Sequence, residues 1–232
     1  MALGALPRGD EKRRAVRAMF DRIAPRYDLL NRLLTGSLDQ RWRRCALDLA
    51  AVAEGDVVLD LACGTGDLAA LARRRGARVL GVDFAGVMLR EARRRGVDAE
   101  WLQADAERLP LPDRSVDAVV CGFALRNFVS LTSIFAELAR VLRPGGRMAL
   151  LEVDRPASPA VRRLHSVYFD RVVPWVGGVL SDRDAYRYLP RSTSYLPPTD
   201  ELLGSLSRAG FTAVQRRPLL LGTAQILQGV RG

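Results

Sequence analysis

The stretch Val57-Val58-Leu59-Asp60-Leu61-Ala62-Cys63-Gly64-Thr65-Gly66-Asp67 constrains the fold of this chain more than any other. The run Val57 to Leu61 is apolar apart from Asp60 and reads as a buried parallel strand. It passes directly into Gly64 and Gly66, and Asp67 to Arg75, with apolar Leu68, Leu71 and Ala72, reads as the helix that follows. A glycine turn between a strand and a helix N-terminus gathers backbone N–H groups with no Cβ in the way. That suits the polar part of a nucleotide-like cofactor. Taken alone, the turn is also compatible with a dinucleotide, because Gly64, Gly66 and Ala69 match G-x-G-x-x-G/A and Asp83 follows at about the ribose-binding distance.

The strand–helix unit recurs downstream. Ala77 to Val82 reads as a second strand ending at Asp83, followed by a helix from Gly86 to Arg95. Ala99 to Gln103 reads as a third strand, Ser115 to Cys121 as a fourth and Arg147 to Val153 as a fifth. A helix from Ser130 to Leu142 and a Pro144-Gly145-Gly146 turn separate the last two. Short connections in this order predict an α/β fold, a Rossmann-like doubly wound sheet. Ligands of such sheets bind outside the carboxyl ends of the strands, where Asp83, Asp105, Arg126 and Glu152 fall at four different ends. Asp83 can accept both ribose hydroxyls of an adenosine; its competing role is to cap the following helix. Asp105 falls where an acidic residue lies beside an adenine.

Two helical segments stand outside the alternation. Residues 10–52 predict an N-terminal helical cap, with a helix from Asp10 to Arg22, an interruption at Pro25 and a helix from about Asp39 to Ala51. Residues 154–198 predict a helical insertion after strand 5, a cap over a substrate. There Ser158 to Val173 has a helical pattern, Pro174 to Gly178 breaks it, and Asp182 to Leu189 forms another short helix. The apolar positions Leu164, Tyr168, Val172 and Trp175, flanked by Arg162, Arg163, Arg171 and Arg183, fit either packing on the core or a greasy tunnel at a membrane surface. A helix from Thr199 to Ala209 and two closing strands, Phe211 to Pro218 and Thr223 to Gly229, complete seven strands in a single domain over 1–232.

Charge narrows the field less than its size implies. The net charge is +10, yet Lys12 is the one lysine and the arginines are scattered over helix faces. They form neither a tail nor an arginine–aromatic stripe, so no specific nucleic-acid partner is expected. The three cysteines are widely spaced and the chain has a single histidine, which argues against a metal site and for reduced thiols. No run approaches the roughly 18 apolar residues of a membrane span. Met1 to Pro7 leads straight into charged residues, so no signal peptide is expected.

Several motifs together resemble class I S-adenosylmethionine-dependent methyltransferases. These are Val58 to Gly66, Gly81-Val82-Asp83, Val116 to Val120 and Leu142 to Arg147. Met19 to Asn31, Trp42-Arg43-Arg44, Phe123-Ala124-Leu125-Arg126-Asn127, Arg140 to Gly146 with Glu152, and Ala185 to Pro190 are similar to the ubiquinone/menaquinone biosynthesis C-methyltransferases. That resemblance spans about residues 16–217. It implies methyl transfer to a ring carbon of a prenylated hydroquinone, most directly demethylmenaquinol. It implies S-adenosylmethionine as cofactor, held by Asp60, Gly64, Thr65, Gly66, Asp83, Phe84, Asp105, Ala106 and Gly122, and a catalytic group of Arg126 and Asn127. Asp154 is the candidate proton acceptor, and Tyr27, Asn31, Tyr186 and Tyr188 are expected to close over the substrate. A cytoplasmic protein with peripheral contact at the inner face of the membrane follows from the substrate; a homodimer is left open. His165 reads as structural. The chain departs from the family at Cys63 and Ala124, where glycine is usual, at Asp39-Gln40-Arg41, where a histidine precedes the tryptophan, and at Gly122, where serine or threonine is usual. Glu152-Val153-Asp154 and the Leu221-Gly222-Thr223 turn with Gln228 are further departures. The alternatives are a paralogue acting on another phenolic ring, an RNA methyltransferase and a dinucleotide oxidoreductase.

Overall fold

The computed structural model describes residues 7–232, apart from the side chains of Asp170, Val179, Arg183, Arg187 and Leu189. The signal-peptide reading of residues 1–6 and the flanking charge read for the Arg183 side chain lie outside the described residues. Among the described residues, strands β1 (Val57–Leu61), β2 (Arg78–Asp83), β3 (Glu100–Gln103), β4 (Val116–Gly122), β5 (Leu142–Val153), β6 (Phe211–Leu219) and β7 (Ala224–Arg231) form one sheet in the order 3-2-1-4-5-7-6. The first five are parallel; β7 runs antiparallel to β5 and β6. The order reverses between β1 and β4, so the carboxyl ends of those strands open a crevice.

Burial explains this register. Val58, Leu59 and Leu61 of β1 and Val119, Val120 and Cys121 of β4 are all fully buried, as central strands covered by helices on both faces must be. α4 (Asp67–Arg73) and α3 (Leu38–Leu49) cover one face, through Leu68, Ala72, Ala46 and Leu47. α6 (Leu131–Val141) and α10 (Thr199–Arg208) cover the other, through Ile134, Phe135, Leu138, Leu202 and Leu206.

Two segments differ from the sequence pattern. Pro144-Gly145-Gly146 is no separate turn: β5 already begins at Leu142, which pairs with Val116, and the register then jumps to Ala118 opposite Arg147. The glycines form a bulge inside the strand, with Gly145 at φ 77°. Pro174 does not break the helical run either. α7 (Pro159–Val167) continues through one π-helical turn, Tyr168–Val172, into α8 (Val173–Leu180). The Val173 N–H reaches back to the Tyr168 carbonyl, and Pro174 falls in the first turn of α8, where a missing N–H is best tolerated. Gly177 on α8 lets α9 (Arg183–Ser192) come close: a Cβ there would stand 2.0 Å from the Tyr186 ring.

α1 (Gly9–Ile23) and α2 (Tyr27–Thr35) meet α8 and α9 in a separate apolar cluster built on Met19, Ile23, Leu30, Val173 and Tyr186, which also takes in Met88 of α5 (Gly86–Arg94). The N-terminal cap and the insertion after β5 therefore pack together over the crevice. Among the described residues, no helix is long and apolar enough to cross a membrane.

Candidate active site

Two cavities lie over the carboxyl ends of the strands. The first follows the glycine turn. Ala62, Gly64, Val82, Asp83, Phe84, Ala104, Asp105, Ala106, Gly122 and Asn127 line it, roofed by Phe20 and Tyr27. The second measures about 490 Å³ and is walled by Phe20, Tyr27, Leu34, Trp42, Phe123, Tyr168, Phe169 and Val173, with Arg126, Asp39, Asn31, Thr35, Thr223 and His165 among its polar positions. Phe20, Tyr27 and Phe123 belong to both walls, so the cavities meet there.

The turn itself is held by carboxylates. Asp83 accepts from the Gly64 N–H at 2.8 Å and the Ala85 N–H at 2.8 Å. Its pKa is pushed up to about 6, because burial outweighs those hydrogen bonds. Asp60 accepts from the Ala69 N–H at 2.9 Å through one oxygen, while the other, Oδ1, is buried without a hydrogen-bond partner among the described residues. Burial raises the Asp60 pKa to about 7, with Asp83 and Asp67 adding to the rise and Arg43 and the Ala69 N–H opposing it. At Gly64, φ is 56° and a Cβ would point into open space, so this glycine both makes the turn and admits a ligand. Gly66 has a different task. It lines neither cavity; a Cβ there would meet the Trp101 ring at 2.6 Å, so the residue makes room for Trp101 beneath the turn. Thr65 is likewise already engaged: its hydroxyl donates to Asp28 of α2 at 2.5 Å, and Arg95 bonds both Asp28 and the Thr65 carbonyl, tying the cap to the turn.

Arg126 lies on the wall of the second cavity and is buried. Its Nη1 donates to the Phe123 carbonyl at 2.8 Å and to Glu152, and its Nε to the Ser192 hydroxyl at 3.2 Å. Nη2 has no hydrogen-bond partner among the described residues. Phe123 sits at φ 63°, a costly conformation for a bulky residue, and this turns its carbonyl onto Arg126. Glu152 is fully buried and also accepts from the Arg126 backbone N–H at 3.1 Å. Asn127 faces the first cavity, and its side-chain oxygen accepts from the Tyr188 hydroxyl at 3.4 Å.

Asp154 is not brought into either cavity. Its carboxylate pairs with Arg216 of β6, and its own N–H with the Thr223 carbonyl, because the chain has already turned outward past β5. Tyr186 is a core residue, 1 % exposed, in the cluster joining cap and insertion, and Tyr188 reaches the site only through Asn127. The carboxylate on the second cavity's wall is instead Asp39 of α3. It accepts from the Thr35 hydroxyl at 2.9 Å and from the Gln40 amide at 3.1 Å. Arg43, one turn on, is also buried. The signal for both was available: positions 39, 43, 46, 47 and 50 form one stripe of α3 that carries Ala46, Leu47 and Ala50 inward.

The Asp60 carboxyl lines a small recess that shares Tyr27, Ala62, Gly64 and Gly122 with the first cavity, and it gives that end of the site a pH dependence. With a pKa near 7 it is protonated below neutrality, and a cationic ligand group can pair only with the ionised form. Affinity for a ligand carrying an ammonium is expected to rise roughly eightfold between pH 6 and pH 7.5, as follows from a single titration near 7. Asp83, titrating lower, adds a weaker acid-side loss; Arg43, Asp67, Tyr27 and the buried Cys63 thiol also face the recess. Titration calorimetry across that range, with Asp60→Asn as the flat control, checks this. A wild-type affinity independent of pH would contradict it.

Solved structures of like fold include a [4+2]-cyclase, SpnF (TM-score 0.69, 19 % identity, 98 % of this chain and 97 % of that one). They also include a SAM dependent methyltransferase from Aquifex aeolicus (TM-score 0.59, 18 % identity, 82 % of this chain and 89 % of that one). At such identities they establish the fold alone. The sequence relatives are much nearer. A demethylmenaquinone methyltransferase of Thermus thermophilus is 47 % identical, covering 92 % of this chain and 100 % of the relative. A ubiquinone/menaquinone biosynthesis C-methyltransferase UbiE of Syntrophotalea carbinolica is 43 % identical over 93 % of each. The model of the ubiE/COQ5 methyltransferase family matches residues 8–231, so the chain, with its paired cavities over the crevice, belongs to that family.

Proposed function

We propose that this protein transfers a methyl group from S-adenosylmethionine to a ring carbon of a prenylated hydroquinone, demethylmenaquinol in the first instance. One observation carries the choice of substrate. The second cavity is large, aromatic and aliphatic along most of its wall, and joins the first where Phe20, Tyr27 and Phe123 are shared. That is the form required by an aromatic ring that must reach a cofactor while trailing an apolar tail. The relatives' names, demethylmenaquinone methyltransferase among them, agree with it.

The residues of the first cavity fit the cofactor. Asp83 stands where ribose hydroxyls would be accepted, Phe84, Asp105 and Ala106 beside the base, and Asp60 of the adjoining recess, with one oxygen lacking a hydrogen-bond partner among the described residues, opposite an ammonium. When bound, S-adenosylmethionine supplies an electrophilic methyl on a sulfonium. The chain's own task is to make the ring carbon nucleophilic by ionising a neighbouring hydroxyl. A phenol with a pKa of about 10 needs roughly 4 kcal/mol of help at pH 7. Arg126 stabilises the phenolate through Nη2, held in place by Glu152, Ser192 and the Phe123 carbonyl. It takes no proton, since a guanidinium stays charged. Asp39, directly or through water, receives the proton. Residues 10–52 and 154–198 act as one cap that keeps water from the ring.

The same reading places the protein against a membrane, where such a substrate resides. Leu33 and Leu220 line the second cavity and are exposed, which marks its mouth. Leu29, Leu164, Trp175 and Leu221 are exposed on neighbouring positions, the last three by more than 70 % (73 %, 71 % and 76 %). Exposed Arg26, Arg32, Arg162, Arg163 and Arg171 accompany them, a pairing that suits an anionic lipid surface. Vesicles of anionic phospholipid are expected to retain the wild-type protein on flotation. Retention should fall at least about tenfold, that is by some 1.4 kcal/mol or more, for Trp175→Ser/Leu220→Ser/Leu221→Ser. Equal retention of both proteins would contradict membrane docking through this mouth. For the substrate itself, KM should rise as the prenyl tail of a quinol is shortened. A KM unaffected by tail length would favour a tail-less phenol as the natural acceptor.

A further inference from the structure

We infer that Arg43 receives the carboxylate at the amino-acid end of S-adenosylmethionine, across a small recess from Asp60, and that the two select cofactors whose amino-acid end is intact. The inference rests on the cofactor reading above and adds a residue to it.

The recess continues the first cavity past the glycine turn and is lined by Tyr27, Arg43, Asp60, Gly64, Thr65 and Gly122, among others. Arg43 is 5 % exposed, yet its side chain makes no hydrogen bond among the described residues. The nearest carboxylates, Asp39 and Asp67, lie 3.5 and 3.7 Å from its Nε, and both are occupied elsewhere. Asp39 takes the Thr35 hydroxyl and the Gln40 amide; Asp67 takes Arg95 at 2.7 Å and the Gln40 amide at 3.0 Å. Arg126, buried to the same degree, is by contrast bonded through Nε and Nη1. A guanidinium taken out of water with its donors unused is costly, and a ligand anion would offset that cost.

The direction of the group agrees. A Cβ at Gly122 would stand 2.8 Å from Arg43 Nη1, so the guanidinium end fills the space that a serine or threonine at that position would take. Gly122 lines both the first cavity and the recess. Arg43 also stays charged: burial works against the charge, but Asp67, Tyr27, Asp39 and Asp60 outweigh it. A free α-amino acid end carries one ammonium and one carboxylate. Among the described residues the recess offers one carboxylate oxygen without a hydrogen-bond partner, Asp60 Oδ1, and one guanidinium whose donors make no hydrogen bond and meet carboxylates only at 3.5 and 3.7 Å.

Titration calorimetry separates this from a structural role for Arg43. The two ligands are S-adenosylmethionine and 5′-methylthioadenosine, which shares the nucleoside and sulfur but lacks the amino-acid end. Arg43→Met is expected to weaken S-adenosylmethionine by about 30-fold, the loss of a charge-assisted hydrogen-bond pair. It should leave 5′-methylthioadenosine within about twofold, and Arg43→Lys should recover part of the loss. Equal weakening of both ligands, or no weakening of either, would overturn the inference. Failure of the wild-type protein to bind either ligand would instead overturn the methyltransferase reading on which it rests.

Discussion

Replacing Arg126 by methionine is expected to abolish measurable methyl transfer and to destabilise the fold by about 3–5 kcal/mol, the cost of leaving a buried partner charge uncompensated. The partner is Glu152, which is fully exposed to nothing but protein: its relative exposure is 0 %, and both its oxygens are turned to Arg126. Loss of activity in a destabilised variant proves little on its own. The double variant Arg126→Met/Glu152→Leu removes both charges together, and such replacements are often neutral or stabilising. It should therefore regain most of the stability, measured by urea unfolding, and none of the single-turnover rate. If the double variant regained activity along with stability, Arg126 would be a structural residue and the phenolate would need another partner. Recovery of neither would leave the pair with no role separable from the fold, which also contradicts the assignment.

Asp39→Asn should have the second largest effect, a fall in kcat of about 100-fold or more, the usual share of general base catalysis. The amide is isosteric: its carbonyl oxygen can keep the Gln40 bond, while its NH2 can donate to the Thr35 hydroxyl, which then gives its own hydrogen to the Asn31 carbonyl. A positional fault and a chemical one are told apart with ring-halogenated quinols, whose hydroxyls ionise more readily. Such substrates need less help from a base, so the Asn variant should recover towards the wild-type rate on them. A variant equally impaired on acidic and ordinary quinols would exclude Asp39 as the proton acceptor.

The legible and illegible parts of this molecule divide on a physical line. The sheet was legible because strands buried on both faces are written as apolar runs, and the turns between them as glycine, proline and aspartate. β1, from Val57 to Leu61, falls where the pattern places it, and Asp83 and Asp105 sit at their strand ends in the first cavity. The helical insertion was harder. Pro174 carries a strong local signal for a break, but a π turn absorbs it, and that depends on neighbours rather than on the residue. Asp154 looked like a site residue by being near the end of β5. One residue of alternation along the strand decides whether a side chain faces the cavities, and a further turn of chain gave it to Arg216. Tyr186 was assigned by motif to the lid surface, whereas α9 turns it into the cluster that joins insertion to cap. Nothing in the local sequence singles out Asp39 and Arg43 as site residues, because charged residues on a helix are ordinarily solvated. Only the company of Ala46 and Leu47 on the same stripe shows them to be buried.

Gly122 and Cys63 mark places where the chain leaves the usual pattern of its family, and the structure gives each a neighbour. Gly122 makes room for Arg43, and Cys63 Sγ packs 3.2 Å from where a Cβ on Gly81 would stand. Burial pushes the Cys63 thiol well up from its ordinary range, with Asp60 adding to the effect, so it behaves as an apolar filler beneath the turn.

The central claim is met most directly by incubating the purified protein with methyl-labelled S-adenosylmethionine and reduced demethylmenaquinone in mixed micelles, then locating the label by mass spectrometry. Label on a ring carbon of the quinol, formed with many turnovers per enzyme and absent with Arg126→Met/Glu152→Leu, is the predicted result. Label on a hydroxyl oxygen, or transfer only to tail-less phenols and none to the prenylated quinol, would contradict it.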